Sequence, residues 1–245
     1  MGIFILGLMK FNLFGGVLAD NRAMRVLIFG ATGMVGQGVL RECLRDAGVE
    51  LVQTVGRSVT GMKDAKLREV VHADLLNFAA IADQLWGFDA CFFCLGVTSS
   101  GMTEEDYRRV TYDITLAAAE ELARLNPRMT FVYVSGAGTD SSEKGRSMWA
   151  RVKGATENAL LRLPFAAAYM FRPGIIQPLR GIKSKTRLYQ IFYTLGGPLL
   201  PLVRMAFPNQ VLTTEQIGLA MLAVARRGYA KAMLEARDIR LVAEA

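Results

Sequence analysis

The feature that most constrains this chain is a short apolar run that leads straight into three glycines, each three residues after the last. Residues 26–29 are Val-Leu-Ile-Phe, and a helix is predicted over residues 34–47. In such a strand–turn–helix the first glycine permits a sharp turn, the second lets backbone approach a pyrophosphate, and the third lets the helix pack closely on the sheet. The helix N-terminus adds unpaired N–H groups and a partial positive charge. The turn therefore predicts a dinucleotide-binding site with contacts from Gly30, Thr32, Gly33, Met34, Val35 and Gly36.

Beyond this turn, short β-rich apolar runs alternate with longer helical stretches, which is typical of βαβ units on a parallel sheet. The predicted strands are residues 26–29, 51–55, 70–72, 89–95, 129–135 and 166–171. The predicted helices are residues 34–47, 77–85, 103–125 and 147–163, followed by a helix capped by Thr213 and a short strand and helix near 233–242. This order predicts an α/β fold, a Rossmann-type doubly wound parallel sheet with a small C-terminal helical cap.

A chain of 245 residues with 52% hydrophobic content can bury one sizeable core. We therefore expect a single dinucleotide-binding domain over residues 24–245. Residues 1–23 are apolar but interrupted by Lys10, and this stretch is too short and too broken to span a bilayer. We interpret it as an N-terminal extension, produced by a start codon placed too far upstream, with a weak membrane-surface anchor as the alternative.

Residues 180–245 are expected to form a cap on the substrate side of the domain. A basic run from Arg180 to Arg187 is followed by an apolar stretch from Leu188 to Phe207, which prolines and a glycine pair interrupt. An apolar lining favours a small hydrophobic substrate, while neighbouring apolar and basic residues also suit a peripheral membrane contact through residues 180–207. A packed C-terminal cap without either role is an equal alternative.

The charge and the cysteines exclude some classes of function. Lysine and arginine outnumber aspartate and glutamate by 29 to 22, but the basic residues are scattered, so we expect no nucleic-acid partner. Three cysteines in a chain of this length suggest a reducing compartment and a cytoplasmic location. Cys91 and Cys94 form a C-x-x-C inside an apolar run, which favours packing over a redox or metal site. His72 is the only histidine, and we interpret it as structural.

The residues after the second and third predicted strands bear on the choice of cofactor. The second strand ends in Val-Gly-Arg-Ser, without the acid that would accept hydrogen bonds from the ribose 2′-hydroxyl of NAD. Arg57 instead offers a guanidinium fork suited to a 2′-phosphate, so we expect NADP(H) rather than NAD(H). Asp74 is placed either to accept from the adenine amino group or to cap the next helix. Leu95 and Gly96, at the end of the fourth strand, complete this half of the predicted site.

From Met24 to the C-terminus the chain resembles the atypical short-chain dehydrogenase/reductases, and among them the group typified by the Tat-interacting-protein oxidoreductases. The resemblance rests on the glycine turn, on Val-Tyr-Val-Ser-Gly at 132–136, on Arg-Val-Lys-Gly-Ala-Thr-Glu at 151–157 and on Phe-Arg-Pro-Gly at 171–174. The glycine turn is shared by the whole superfamily, whereas the other three motifs together are more discriminating.

The resemblance implies hydride transfer between a nicotinamide and a carbonyl or alcohol, with a serine, a tyrosine and a lysine at the reacting centre. Ser135 and Lys153 match the serine and the lysine, and the lysine of the family also holds the nicotinamide ribose. Pro173 with Gly174 matches the turn that faces the carboxamide. Four residues before Lys153, where the family has tyrosine, this chain has Trp149. An indole N–H does not ionise usefully and cannot shuttle a proton.

Two tyrosines are candidates for the missing proton donor. Tyr133 shares a strand face with Ser135, and Tyr112 on the preceding helix is a weaker candidate; a structural role is the alternative for both. The leading hypothesis is an NADP(H)-dependent oxidoreductase with a small-molecule substrate. A non-catalytic NADPH-binding sensor or regulator is the second hypothesis, because a sensor can dispense with the acid, and a sugar-nucleotide epimerase or dehydratase is a weaker third.

Overall fold

A seven-stranded parallel sheet forms the centre of the molecule, in a computed structural model that describes residues 23–179 and 211–245. Its strands are β1 (Met24–Phe29), β2 (Val49–Gly56), β3 (Leu67–Val71), β4 (Ala90–Phe93), β5 (Thr130–Val134), β6 (Ala167–Arg172) and the last strand of the chain, β9 (Met233–Glu235). They lie in the order β3-β2-β1-β4-β5-β6-β9, and every neighbouring pair is parallel. The predicted doubly wound α/β class is confirmed.

The last strand of this sheet, β9 (Met233–Glu235), is the short strand predicted near residue 233. The sequence did not predict two three-residue strands, β7 (Ile175–Gln177) and β8 (Val211–Thr213), which pair in parallel as a second small sheet. Strands this short contain too few residues to show an alternating pattern. The two strands also lie more than thirty residues apart in the sequence.

The helices connect the strands and cover both faces of the sheet. They are α1 (Met34–Arg45), a 3₁₀ helix (Ala79–Gln84), α2 (Glu104–Arg108), α3 (Ile114–Leu125), α4 (Met148–Leu160), α5 (Thr214–Arg227) and α6 (Ala236–Glu244). Thr103 begins α2 as predicted, its side chain accepting from the Asp106 N–H, but a π turn over Arg109–Asp113 divides the predicted single helix into α2 and α3.

The predicted helix over 77–85 is a shorter 3₁₀ helix, because the Asn77 side chain accepts from the Ala79 N–H and turns the chain there.

Side chains alternate between the two faces of the sheet, as the pleat of a strand requires. Val26 and Ile28 of β1 pack in one buried cluster, with α1, α5 and α6. Leu27 and Phe29 pack in the other, with α3 and the 3₁₀ helix. Both faces are therefore covered by apolar layers, which explains why the strands are continuous apolar runs.

The two cysteines of the C-x-x-C follow the same alternation. Cys91 is fully buried in the cluster beneath α3, whereas Cys94 packs against the cluster beneath α1. Their side chains therefore lie on opposite faces of the sheet, in agreement with the interpretation of these residues as packing residues.

Close backbone contact joins α5 to α1. A Cβ added at Gly38 would lie 2.5 Å from Thr214 Cβ, and one added at Gly218 would lie 3.2 Å from Val39 Cα. Thr213 begins α5 with the predicted capping box, in which its side chain accepts from the Gln216 N–H.

The predicted cap of residues 180–245 is described only from 211 onward, and that part packs beside α1, so its substrate-side role stays a prediction. The basic and apolar runs of residues 180–207 lie outside the described residues, as do residues 1–22 of the predicted N-terminal extension. Among the described helices, none has the length and apolar character needed to cross a membrane.

Candidate cofactor and active site

The glycine turn lies between the carboxyl end of β1 and the first residue of α1. Gly30 has a φ of +76°, a conformation that side chains rarely adopt, and its carbonyl accepts from the Gly33 N–H at 2.9 Å. A Cβ added at Gly36 would lie only 2.1 Å from Gly30 O, so α1 approaches the turn more closely than a side chain would allow. The N-cap, Gly33, has no side chain to occupy the first N–H groups of α1, which suits a bound pyrophosphate.

The turn packs directly on the residues that follow β4. A Cβ added at Gly30 would lie 2.6 Å from the backbone nitrogen of Leu95, which brings two parts of the predicted site together. Gly96 follows, and a Cβ there would meet nothing within 4 Å, so space is open beside it. The carboxyl ends of β1 and β4 thus form one edge, which is where open α/β sheets bind ligands.

The segment after β2 carries Arg57 on an exposed loop. This loop is held by Glu69 of β3, whose carboxylate accepts from the Thr60 N–H at 2.9 Å and also bonds the Thr60 hydroxyl. Neither Thr60 nor Glu69 is indicated by a motif in the sequence, because the two residues meet only across neighbouring segments. The fixed loop confines Arg57 to the region beyond β2, where the adenosine ribose lies in a doubly wound fold.

The structure corrects one of the two roles suggested for Asp74. Its carboxylate accepts from the Leu76 N–H at 3.0 Å, and the N-cap of the 3₁₀ helix is Phe78, four residues further on. The N-cap prediction is therefore wrong, because Asp74 lies too far before the 3₁₀ helix, while its adenine contact stays a prediction. His72 Nε2 donates to Asn77 O at 2.7 Å, in keeping with a structural role.

Ser135 follows β5 directly, at the same edge of the sheet as Leu95. Its side chain is 8% exposed, and its Oγ lies 3.0 Å from Thr139 Oγ1. Thr139 Oγ1 donates to Gly136 O at 2.8 Å, which leaves its lone pairs to accept from the Ser135 hydroxyl. Thr139 is a further residue that the sequence did not indicate, because the contact depends on a loop whose course no periodicity predicts.

Pro173 is brought next to this loop by two backbone bonds. The Ser135 N–H donates to Phe171 O at 2.7 Å, and the Ala137 N–H donates to Pro173 O at 2.9 Å. The two predicted segments, Val-Tyr-Val-Ser-Gly and Phe-Arg-Pro-Gly, are thus joined at adjacent strand ends. Gly174 follows and is exposed.

Lys153 extends from α4 to the end of β5. Its Nζ donates to Tyr133 OH at 3.3 Å and to Val134 O at 3.4 Å. Burial lowers the pKa of Lys153 to about 8, and the carboxylate of Glu157 opposes part of this shift. The amine therefore changes its charge close to neutral pH. Its contact with Val134 O places it beside Ser135, the next residue along the chain.

Tyr133 itself lies in the core, at 1% exposure. Burial raises the pKa of this phenol well above its usual value, and the hydroxyl faces Lys153. This position argues against the predicted proton-donor role for Tyr133 and favours the structural alternative. Tyr112 lies in the π turn, where its ring stacks under the Arg108 guanidinium at 4.0 Å.

Trp149 occupies the first turn of α4 and packs on the loop that follows Ser135. Its Cη2 atom lies 3.6 Å from the position that a Cβ on Gly138 would take. Gly138 has a φ of +84°, so a glycine suits both the backbone and the indole. Trp149 therefore shapes one wall of this loop with an apolar surface.

Comparison with known proteins agrees with this geometry. Residues 30–164 match the model of a family described as NAD(P)H-binding. The chain is 29% identical over 195 residues to Protein FMP52-2, mitochondrial, of Scheffersomyces stipitis, covering 77% of this chain and 84% of that protein. It is 32% identical over 155 residues to Protein HTATIP2 of Rattus norvegicus, covering 62% of each.

Among solved structures, an oxidoreductase of the short chain dehydrogenase/reductase family from Burkholderia thailandensis has the same fold. It superposes with a TM-score of 0.63 at 19% identity, over 89% of this chain and 93% of that one. The chain belongs to the NAD(P)H-binding family, and it shares its fold with short-chain dehydrogenase/reductases of known structure. It is therefore an NAD(P)-binding protein.

The names of the relatives correct one prediction. The Scheffersomyces protein and further FMP52 relatives are named mitochondrial, which contradicts the cytoplasmic location predicted here. That prediction was wrong because the cysteine count reports a reducing environment at most, and thiols stay reduced in more than one compartment.

Proposed function

We propose that this protein is an NADP(H)-dependent oxidoreductase acting on a small apolar carbonyl or alcohol. The observation that carries the proposal is the position of Lys153, whose Nζ is anchored to Tyr133 OH and Val134 O beside Ser135. A partly desolvated amine at the carboxyl edge of the sheet, next to a buried hydroxyl, supplies the two polar groups that such a reaction needs.

A dinucleotide held by the glycine turn from Gly30 to Gly36 would supply or accept the hydride. Ser135 orients the oxygen of the substrate, and Thr139 holds the Ser135 hydroxyl in place at 3.0 Å. Since Trp149 does not ionise and Tyr133 is buried, we assign the transferred proton to Lys153 Nζ, whose pKa of about 8 suits exchange near neutral pH. In carbonyl reduction, where the carbon would take the hydride, Lys153 would give this proton to the substrate oxygen directly or through one water, and solvent would then reprotonate the amine.

The cofactor preference rests on Arg57. A guanidinium forms charge-assisted, bidentate hydrogen bonds with a phosphate, and the loop that carries Arg57 is fixed through Thr60 and Glu69. An acid for the 2′-hydroxyl of NAD is missing from the sequence at this point. These two features support NADP(H), with NAD(H) as the weaker ligand.

A second candidate function is a sensor that binds NADPH without turnover. Trp149 favours it, because this residue replaces the tyrosine that resemblance to the family leads one to expect. A sensor needs the dinucleotide site and Lys153 as a binding group, but it needs no proton donor.

The experiment is a titration with NADPH and NADH, followed by NADPH oxidation assays with aldehydes, ketones and quinones for the wild type and Lys153→Met. Tighter binding of NADPH and turnover that Lys153→Met abolishes are the results expected for the enzyme. Tight NADPH binding with no turnover on any of these substrates contradicts it and supports the sensor. Equal affinity for both dinucleotides contradicts the NADP(H) assignment.

A further inference from the structure

A buried ion pair lies directly behind the active site and has no part in the mechanism so far described. Arg172 Nε donates to Glu157 Oε1 at 3.0 Å, and Arg172 Nη2 donates to Glu157 Oε2 at 2.5 Å. The Glu157 side chain is 0% exposed and the Arg172 side chain 11%. The contact is therefore a bidentate, almost fully desolvated pair with one fixed geometry.

The two partners belong to the two segments that carry the nicotinamide half of the predicted site. Glu157 lies four residues after Lys153 on α4, so the two side chains share one face of that helix. Arg172 is the last residue of β6 and directly precedes Pro173 and Gly174. The pair therefore ties the helix that carries the amine to the strand end that presents the Pro-Gly turn.

Further bonds fix the arginine from two more directions. Arg172 Nη2 donates to Ser141 Oγ at 2.6 Å, in the loop that follows Ser135, and Nη1 lies 3.3 Å from Glu235 Oε1 in β9. One guanidinium thus contacts a helix, a loop and a neighbouring strand. A buried ion pair of this kind contributes little net stability compared with well-packed apolar residues. Stability alone therefore does not explain why the chain has a charged pair at this place.

We propose that Glu157 and Arg172 are positioning residues, which hold the Lys153 amine at a fixed place relative to the Pro173-Gly174 turn. The inference rests on the proposed function, because it takes Lys153 as the group that meets the dinucleotide and the substrate. In this role Glu157 and Arg172 do not touch the dinucleotide themselves. They act through α4, which carries Lys153, and through the Pro173-Gly174 turn.

The proposal also has an electrostatic consequence for Lys153. The charged or titratable groups around its amine are Tyr133 from β5 and Glu157 from α4; behind them, Tyr107 of α2 interacts with Tyr133, and Arg172 pairs with Glu157. Burial lowers the pKa of Lys153, and the Glu157 carboxylate opposes that shift. Removing the carboxylate charge should therefore lower this pKa below about 8.

The chain offers a matched control pair far from the site. Arg226 of α5 donates to both carboxylate oxygens of Asp46, at 2.8 and 2.5 Å, just after the last residue of α1. This pair is also bidentate and also joins two elements, although it is more exposed. It should affect folding without affecting Lys153 or the dinucleotide.

The test compares Glu157→Gln with Asp46→Asn. The pKa of Lys153 is obtained from the pH dependence of its acetylation by acetic anhydride, followed by peptide mass spectrometry, and dissociation constants are measured for NADPH and NADH. Glu157→Gln should lower the pKa of Lys153 and weaken both dinucleotides about tenfold or more, as expected for the loss of a buried charge partner. Asp46→Asn should change neither the pKa of Lys153 nor the dissociation constants of NADPH and NADH.

A double variant, Glu157→Gln with Arg172→Met, keeps the proposal open to disproof if the single variant fails to fold. It removes both charges, so it should fold while dinucleotide binding stays weak. Wild-type values for the Lys153 pKa and both dissociation constants in the double variant would overturn the proposal, as would equal effects of Asp46→Asn. Since acetylation needs no cofactor, a wild type that fails to bind NADPH would instead overturn the proposed function.

Discussion

The amine of Lys153 lies 3.3 Å from the hydroxyl of Tyr133, at the boundary between the buried core and the edge of the sheet. Burial shifts the two groups in opposite directions: it lowers the pKa of the amine and raises the pKa of the phenol. The phenol therefore keeps its proton across the neutral range while the amine titrates within it. Lys153, not Tyr133, is the group whose charge responds to pH near the site.

This relationship predicts a pH dependence of stability that Lys153 alone produces. In the folded chain the pKa of Lys153 is about 8, against 10.5 for an ordinary lysine. Between these values the unfolded chain binds more protons at this side chain, so the free energy of unfolding should rise with pH by linkage. Three thiols whose pKa is raised by burial titrate in the same interval with the opposite sign, so the rise should appear in the difference between wild type and Lys153→Met in urea unfolding from pH 7.5 to 10.

The difference between the two proteins isolates Lys153 from other groups that titrate at alkaline pH. Curves for wild type and Lys153→Met that run parallel across this interval would mean that the amine has an ordinary pKa, and the assignment of the proton to Lys153 would lose its basis.

Trp149→Tyr should raise turnover. A phenol at this position restores a group that can transfer a proton, and a positioned general acid typically contributes about 100-fold or more. Steady-state NADPH oxidation with the best substrate measures the change, and Trp149→Phe is the control because it removes the indole without adding a hydroxyl. Equal rates for the two variants would show that the phenol does not reach the substrate from this position on α4.

The sequence predicted the parts of the fold that depend on local pattern. The glycine turn from Gly30 to Gly36 and the alternating apolar strands were predicted because the period of a strand and the needs of a tight turn are visible in consecutive residues. Thr103 and Thr213 likewise marked helix starts, since a cap and its partner are only three residues apart.

What the sequence could not predict depends on contacts between distant residues. Glu69 holds the Arg57 loop through Thr60, and Arg172 meets Glu157 across fifteen residues; nothing in the local pattern distinguishes these charges from solvated ones. Tyr133 was proposed as a proton donor because it shares a strand face with Ser135. That face is covered by α3 and α4, and it is this packing that buries the phenol.

Arg57→Ala should weaken NADPH more than NADH. The loss of a charge-assisted contact to the 2′-phosphate should reduce NADPH affinity about 10- to 100-fold and leave NADH nearly unchanged, since NADH lacks that phosphate. Calorimetric titration with both dinucleotides gives the ratio, and Arg162→Ala serves as the control because Arg162 is an exposed arginine after α4. An unchanged NADPH affinity in Arg57→Ala would remove the support for NADP(H).

Gly36→Ala should destabilise the chain, although alanine normally favours a helix. The new Cβ would lie 2.1 Å from Gly30 O, and neither atom can rotate away, because the backbone fixes the position of both. Either α1 shifts from the turn or the turn opens, and overpacking of this kind reduces the free energy of unfolding by about 1–3 kcal/mol. NADPH binding should weaken as well, because the N–H groups of α1 would no longer face the turn in the same geometry.

Gly56→Ala is the matched control for this change. A Cβ at Gly56 meets nothing within 4 Å, so alanine there should be neutral or stabilise the chain by up to about 1 kcal/mol through the unfolded state. Opposite signs of the two effects in urea unfolding would establish that close backbone contact, and not the loss of a glycine, limits position 36. If Gly36→Ala were as stable as Gly56→Ala and bound NADPH like the wild type, α1 could not approach Gly30 as closely as described, and the pyrophosphate site would need another position.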